Sequence, residues 1–278
     1  MGTTQSTELG YSAEHSSYSF GWKPDLPDIH DKFYQFEKVE FTAETDTETE
    51  SDSETEGSFK IDRIDLRDQF PPVYDQESLH CSVPCSILSV YRFFTNKTNP
   101  EEEYIPSRIH LHQLTSLIDS NDRSLSIKNA LHILEKVGTV SEEIIGFGEY
   151  PDHDERFLGI EAKPPKLIKY RKVEQSKEQF KRALDAGYPI IFGMSLYSSS
   201  LTEGTRKTGE IKMPTKSDQV VGGISMVLVG YDNQRKQWIV RNSWGTQWGD
   251  KGYGYIPFSY LTNPQLANSF WVIYKLEV

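Results

Sequence analysis

Asp218 to Pro257 reads DQVVGGISMVLVGYDNQRKQWIVRNSWGTQWGDKGYGYIP. The run from Ile224 to Tyr231 is apolar, rich in β-branched residues and too short to cross a bilayer, so it predicts a buried strand. Asp232-Asn233-Gln234-Arg235 supplies turn chemistry and Gln237–Arg241 alternates, so the two runs predict a hairpin. Beyond it, glycines at 245, 249, 252 and 254 fall among Trp244, Trp248 and Tyr253, which permits bends beside large rings. By residue chemistry alone this is a β-hairpin with aromatic packing.

A second segment lies upstream, Ile64-Asp-Leu-Arg-Asp-Gln-Phe-Pro-Pro-Val-Tyr-Asp-Gln76 followed by ESLHCSVPCSILSVYRFF. Together with Asn242-Ser243-Trp244-Gly245 it resembles the papain family of cysteine peptidases, where a similar segment precedes the helix bearing the nucleophile. Similarity continues through Pro106–Arg108, Ala186–Gly193 and Tyr260–Ala267, so it covers about Ile61 to Val278. The likeness is to the prokaryotic and viral branch, without the disulfides of secreted cathepsins. Gly21-Trp-Lys-Pro-Asp-Leu-Pro-Asp28 is similar to that branch's N-terminal leader. The resemblance implies an α+β, papain-like two-lobe fold with a helical left lobe, a β-barrel-like right lobe and an interlobe cleft.

Composition sets outer bounds. At 278 residues the chain can hold two lobes with a substantial core. No apolar run reaches membrane-spanning length and the N-terminus lacks a secretory apolar region, so no stable membrane insertion is expected. The cysteines, Cys81 and Cys85, are four apart beside a predicted helix, which is no disulfide framework and fits a reducing, intracellular, cytoplasmic setting. A net charge of −11 argues against a nucleic-acid surface. Seven of those negative charges lie between Glu44 and Glu56.

The chain divides into a tail and leader-like arm over 1–41, an acidic disordered linker over 42–58 and a papain-like domain over 59–278. Its left lobe spans about 75–165 and its right lobe about 166–278. Met1–Ser6 fits the pattern for N-myristoylation at Gly2, a short pattern that an ordinary polar tail also meets by chance. Tyr11–Phe36 mixes aromatics with prolines; such an arm either lies over the cleft or straps the outside of the domain. Pro84 is tolerated only in a first helical turn, so a helix begins near Ser82, with Ile87, Leu88, Tyr91 and Phe94 inward. Ser124–Lys136 predicts a second helix stopped by Gly138, with Ile127, Leu131 and Leu134 inward. Ser176-Lys-Glu-Gln179 is a capping box for a third, closed by Gly187, and Pro189–Leu196 predicts a strand.

Thiol hydrolysis needs a thiolate, a base, a group to orient the base and donors for the oxyanion. A helix N-terminus favours the thiolate. By the resemblance, Gln76 takes the oxyanion position, and six residues on the nucleophile position holds Ser82 instead of cysteine. The family's histidine follows Gly-Gly before the apolar strand, and here that place is Ile224, which can neither accept a proton nor pair with a thiolate. Asn242 takes the orienting position and Trp244 the shielding one. Cys81, adjacent to Ser82, is the alternative nucleophile, although one helical step turns a side chain by about 100°. Cys85, one turn further in, reads as a small hydrophobe. His110 and His112 read as packing or surface residues, without a third ligand at metal-site spacing.

These departures predict a pseudopeptidase that binds or scaffolds, taking a peptide or protein ligand in the cleft, with no cofactor or metal. The alternatives are an active thiol peptidase, through Cys81 or with the catalytic positions altered here, and a structural protein using the fold as a stable body. Ser82 and Ile224 are expected to face each other across the cleft.

Overall fold

Along the predicted hairpin successive side chains enter opposite buried layers, which sets the layers of the molecule. The computed structural model describes residues 20–34, 36, 61–98, 104–119, 124–148, 160, 162 and 167–277. The Gly2 motif, the first part of the arm and the acidic stretch 42–58 lie outside the described residues.

In chain order the elements are strand β1 (Arg63–Asp65), helices α1 (Ser82–Thr98), α2 (Arg108–Ile118) and α3 (Ile127–Lys136), and strand β2 (Leu167–Lys172). Helix α4 (Lys177–Asp185), strand β3 (Ile190–Tyr197) and the short helix α5 (Glu203–Thr208) follow. The chain then forms hairpin strands β4 (Val220–Asp232) and β5 (Gln237–Arg241), strand β6 (Tyr253–Pro257), the one-turn helix α6 (Phe258–Leu261) and strand β7 (Ala267–Glu277). The strands pair in the order β2-β7-β3-β4-β5-β6, with β1 added to β4. Every pairing between these strands is antiparallel. Among the described residues β2 and β6 do not pair, so the sheet is open where a barrel-like lobe was expected.

The sheet separates two cores. Ile224, Met226 and Leu228 of β4 join Phe192, Met194 and Leu196 of β3 on one side, with α4 packed there through Phe180 and Leu184. Val227 and Val229 join Ile191 on the other, against Val83, Ile87, Leu88 and Val90 of α1 and Ile127, Leu131 and Leu134 of α3. Gly193 and Ser225, which are register partners, lie on the helix-facing side of this alternation.

Each helix of the helical layer after α1 starts at a serine whose hydroxyl accepts an otherwise unpartnered amide. Ser107 accepts from His110 N and Ser126 from Asn129 N, while Ser176 does the same for α4 with Gln179 N. Helix α3 therefore begins at Ile127, a little after the expected start near Ser124. The capping box at Ser176 is half made, because Gln179 Oε1 accepts from Phe36 N of the arm at 3.3 Å instead of reaching back. Helix α2 was not expected: its buried face includes Arg108, His110, Gln113, Thr115 and Ser116, which hides an apolar period. His110 is a buried packing residue whose Nδ1 accepts from Val140 N at 3.3 Å.

Ser176→Ala should lower the unfolding free energy by about 1 kcal/mol, the usual worth of such a cap. Urea unfolding should show a lower midpoint with an unchanged slope; an unchanged midpoint would mean that the cap contributes nothing here.

Candidate functional site

Helix α1 begins against the middle of β4. Ser82, the first residue of the helix, is fully buried, and its hydroxyl accepts from Ser225 N at 3.2 Å. The contact is with the residue after Ile224, not with Ile224 itself. Ile224 is fully buried, in the same cluster as Trp244, Trp248 and Met194. Ser82 and Ile224 thus sit on adjoining elements, and the Ser82 hydroxyl is engaged by the amide that follows Ile224. The Ser225 hydroxyl and Asn242 Nδ2 are buried without a hydrogen-bond partner among the described residues.

Gln76 is fully buried and ties three segments together. Its Nε2 donates to Leu79 O at 2.8 Å and to Phe20 O at 3.2 Å, while its Oε1 accepts from Ser243 Oγ at 2.5 Å. Its backbone N–H donates to Ser243 O at 2.8 Å. Asn242 Oδ1 accepts from the following amide, Ser243 N, at 2.8 Å. Trp244 bridges to Asp75 and packs edge-on against Trp248 with ring centroids 5.6 Å apart. The structure therefore brings Gln76, Ser243, Asn242 and Trp244 together.

The groove between the helical layer and the sheet is filled by the chain's own arm. Gly21 N and Trp22 N both donate to Gly223 O of β4 at 3.1 Å. On the opposite wall Leu125 N donates to Gly21 O at 2.9 Å, and Lys23 N to Leu125 O at 3.1 Å. The glycines are what make room. A Cβ at Gly193 would lie 1.8 Å from the Trp22 ring, and one at Gly223 would lie 2.5 Å from Trp22 O. At Gly21, where φ is +132°, a Cβ would lie 2.0 Å from His80 O. Further along, Asp25 accepts from Ser126 Oγ at 2.6 Å and Trp271 Nε1 at 2.7 Å. Asp31 is paired with Lys128 at 2.5 Å and Lys172 at 3.1 Å. Of the two readings of the arm, the described part lies in the cleft.

Cys81 does not face this groove. Its thiol is 1% exposed, in the helix-side core, with its sulfur 3.8 Å from Cys85 Sγ. Burial, reinforced by the Cys85 sulfur, pushes the Cys81 thiol well above its ordinary value. Among the described residues no group of three His, Cys, Asp or Glu side chains could hold a metal. Sequence reasoning missed Ser225, Ser243, Gly193 and Leu125; only the Gly222-Gly223 pair was visible there, as the opening of a strand.

Comparison with known proteins agrees with this geometry. The papain family cysteine protease model matches residues 125–267, just over half of the chain, including Ile224, Asn242 and Trp244 but not Gln76 or Ser82. An uncharacterized peptidase C1-like protein of Acanthamoeba polyphaga mimivirus is 28% identical over 276 residues, 94% of this chain and 88% of that protein. The crystal structure of xylellain, a cysteine protease from Xylella fastidiosa, is similar at a TM-score of 0.75 and 28% identity, covering 97% of this chain and all of that one. A digestive procathepsin L 3 of Tenebrio molitor shares the fold, at a TM-score of 0.56 and 18% identity over 74% of this chain.

Two predictions follow from the packing. Ser82→Ala should cost about 1–3 kcal/mol, because it removes the acceptor of the buried Ser225 amide, whereas Ser225→Ala removes an unpartnered buried hydroxyl and should be neutral to stabilising. Urea unfolding of both variants checks this, and equal losses would count against it. Gly193→Ala should expel the Trp22 ring, so that chymotrypsin cuts after Trp22 at least tenfold faster; unchanged cleavage would mean that the ring does not depend on that space.

Proposed function

We propose that this chain, which belongs to the papain family of cysteine proteases, has kept the peptide-binding groove and given up hydrolysis. The observation that carries this reading is the pairing of Ser82 with Ile224. The hydroxyl at the head of α1 accepts from a backbone amide, and the residue at the base position is a fully buried isoleucine. A serine hydroxyl is a weak nucleophile unless a base takes its proton. Oxyanion donors and binding alone leave only a small residual rate. Gln76, the oxyanion candidate, already donates to two carbonyls.

The groove is built for an extended peptide, and Phe20–Lys23 is the one it holds. Backbone bonds from both walls fix the chain, and the slot over Gly193 and Gly223 takes a flat aromatic ring. The protein accordingly acts by binding a peptide segment, with the arm as its resident ligand. The enzymatic alternative through Cys81 loses support because that thiol is buried against Cys85, away from the groove.

The test is an activity series on unstructured peptides at neutral pH. The unmodified chain should show no turnover. Ser82→Cys should give weak labelling by a thiol-reactive peptide inhibitor, since a helix N-terminus alone favours the thiolate only modestly. Ser82→Cys with Ile224→His should label faster, though partially, because the arm still occupies the groove. Measurable turnover by the unmodified chain that disappears in Cys81→Ala would overturn the reading and make Cys81 the nucleophile.

A further inference from the structure

The segment that fills the groove also shows what the groove selects. Backbone bonds set its register: Gly21 N and Trp22 N donate to Gly223 O, Leu125 N donates to Gly21 O, and Gln76 Nε2 donates to Phe20 O. Main-chain bonds of this kind hold any extended peptide, so selection falls to the places where the walls meet the side chains of residues 20, 21 and 22.

Each of the three positions meets a different constraint. The Phe20 ring lies over Gly222, where a Cβ would stand 2.7 Å from it, and it packs against the sheet-side core. The Trp22 ring lies over Gly193 and Gly223 and is buried in the helix-side core. Between them Gly21 has a φ of +132°, and a Cβ there would run into His80 O. That oxygen belongs to the backbone and cannot swing aside as a flexible side chain can, so the middle position is closed to every residue but glycine. The Trp22 indole Nε1 is buried without a hydrogen-bond partner among the described residues. Its slot therefore fits a flat ring and offers nothing to an indole N–H; a stranded donor weakens binding, and a phenyl ring has none to strand.

We propose that the groove selects extended peptides carrying the triplet aromatic–glycine–aromatic, with phenylalanine at least equal to tryptophan in the last place. This rests on the reading of the groove as a peptide-binding site and adds the chemistry of the partner: a chain that presents such a triplet in an exposed, extended segment. A triplet with alanine in the middle meets the His80 oxygen, and one with an alanine at either end leaves a slot unfilled. The arm competes as a tethered ligand, so the preference becomes measurable in trans once the arm's two rings are removed.

The experiment titrates the full chain carrying Phe20→Ala and Trp22→Ala with fluorescein-labelled hexapeptides, followed by anisotropy, with circular dichroism confirming the fold. Ser-Phe-Gly-Trp-Lys-Pro and Ser-Phe-Gly-Phe-Lys-Pro should bind, the second at least as tightly as the first. Replacing the glycine or either aromatic residue by alanine should weaken binding at least tenfold. Peptides that bind with no regard to the glycine or the rings would overturn the selectivity and leave the peptide-binding reading standing; no binding by any peptide would overturn both. A second measurement does not depend on the emptied chain. With the rest of the chain unaltered, Trp22→Phe should leave the bond after residue 22 as resistant to chymotrypsin as before, whereas Gly21→Ala should speed cleavage there at least tenfold. Faster cleavage in Trp22→Phe, or unchanged cleavage in Gly21→Ala, would overturn the proposal.

Discussion

Gly21 and Trp22 donate to a single oxygen, Gly223 O, and that shared contact dictates what can stand around it. Two consecutive amides reach one carbonyl only if the arm's backbone comes within van der Waals range of the strand. The arm can come that close because Gly193, Gly222 and Gly223 leave no side chains in its path and Gly21 none against His80. The Trp22 ring is then buried almost completely, in the helix-side core that holds α1 to the sheet. Burying one tryptophan removes about 200 Å² and is worth about 5 kcal/mol at 25 cal/mol per Å². Ordering backbone costs about 1–2 kcal/mol per residue, so the ring alone offsets only a few residues of arm. The rest is held by Asp25, Asp31 and Phe36, each buried or bonded to a different element.

The hairpin, three of the four helices longer than two turns and the strand after Gly187 were legible because each rests on local rules: alternation, a serine cap, a glycine stop. Helix α2 was not, because it buries an arginine and a histidine whose partners come from elsewhere in the chain. Arg108 is satisfied by Glu142, thirty-four residues away, and no local pattern announces that. The positions of the site were legible from motif spacing, but their relations were not. Ser82 was expected to face Ile224; the contact that the fold makes is between the Ser82 hydroxyl and the next residue's amide, with Ile224 buried alongside Trp244. The arm's course was left between two readings, since it depends on absent side chains in β3 and β4 rather than on anything in the arm itself.

Polar satisfaction separates the site from its surroundings. Around Gln76 the amide and carbonyl groups are used, by Phe20, Leu79 and Ser243. Nearby, Asn242 Nδ2 and Ser225 Oγ are buried with nothing to bond among the described residues. A stranded buried group costs roughly 1–3 kcal/mol, a cost the fold carries only where other contacts fix the side chain. Asn242 is fixed by Ser243 N through its oxygen. On the proposed reading, its unpartnered amide nitrogen has no imidazole to orient.

This accounting bears on how the family pattern should be weighed. Gln76 staples the arm, its own loop and the Ser243 segment, and Trp244 bridges Asp75 and packs on Trp248. Both residues have structural work whether or not a peptide bond is ever cleaved. Their match to the motif is therefore weak support for catalysis. The two catalytic positions that differ, Ser82 and Ile224, are those whose family identities, a thiol and an imidazole, serve nucleophilic attack and proton transfer. Each carries instead a side chain that suits its local packing: a hydroxyl that accepts the Ser225 amide, and an isoleucine that fills the sheet-side core. A chain released from hydrolysis but still obliged to hold its arm would have this distribution, with stapling residues in place and proton-handling ones replaced.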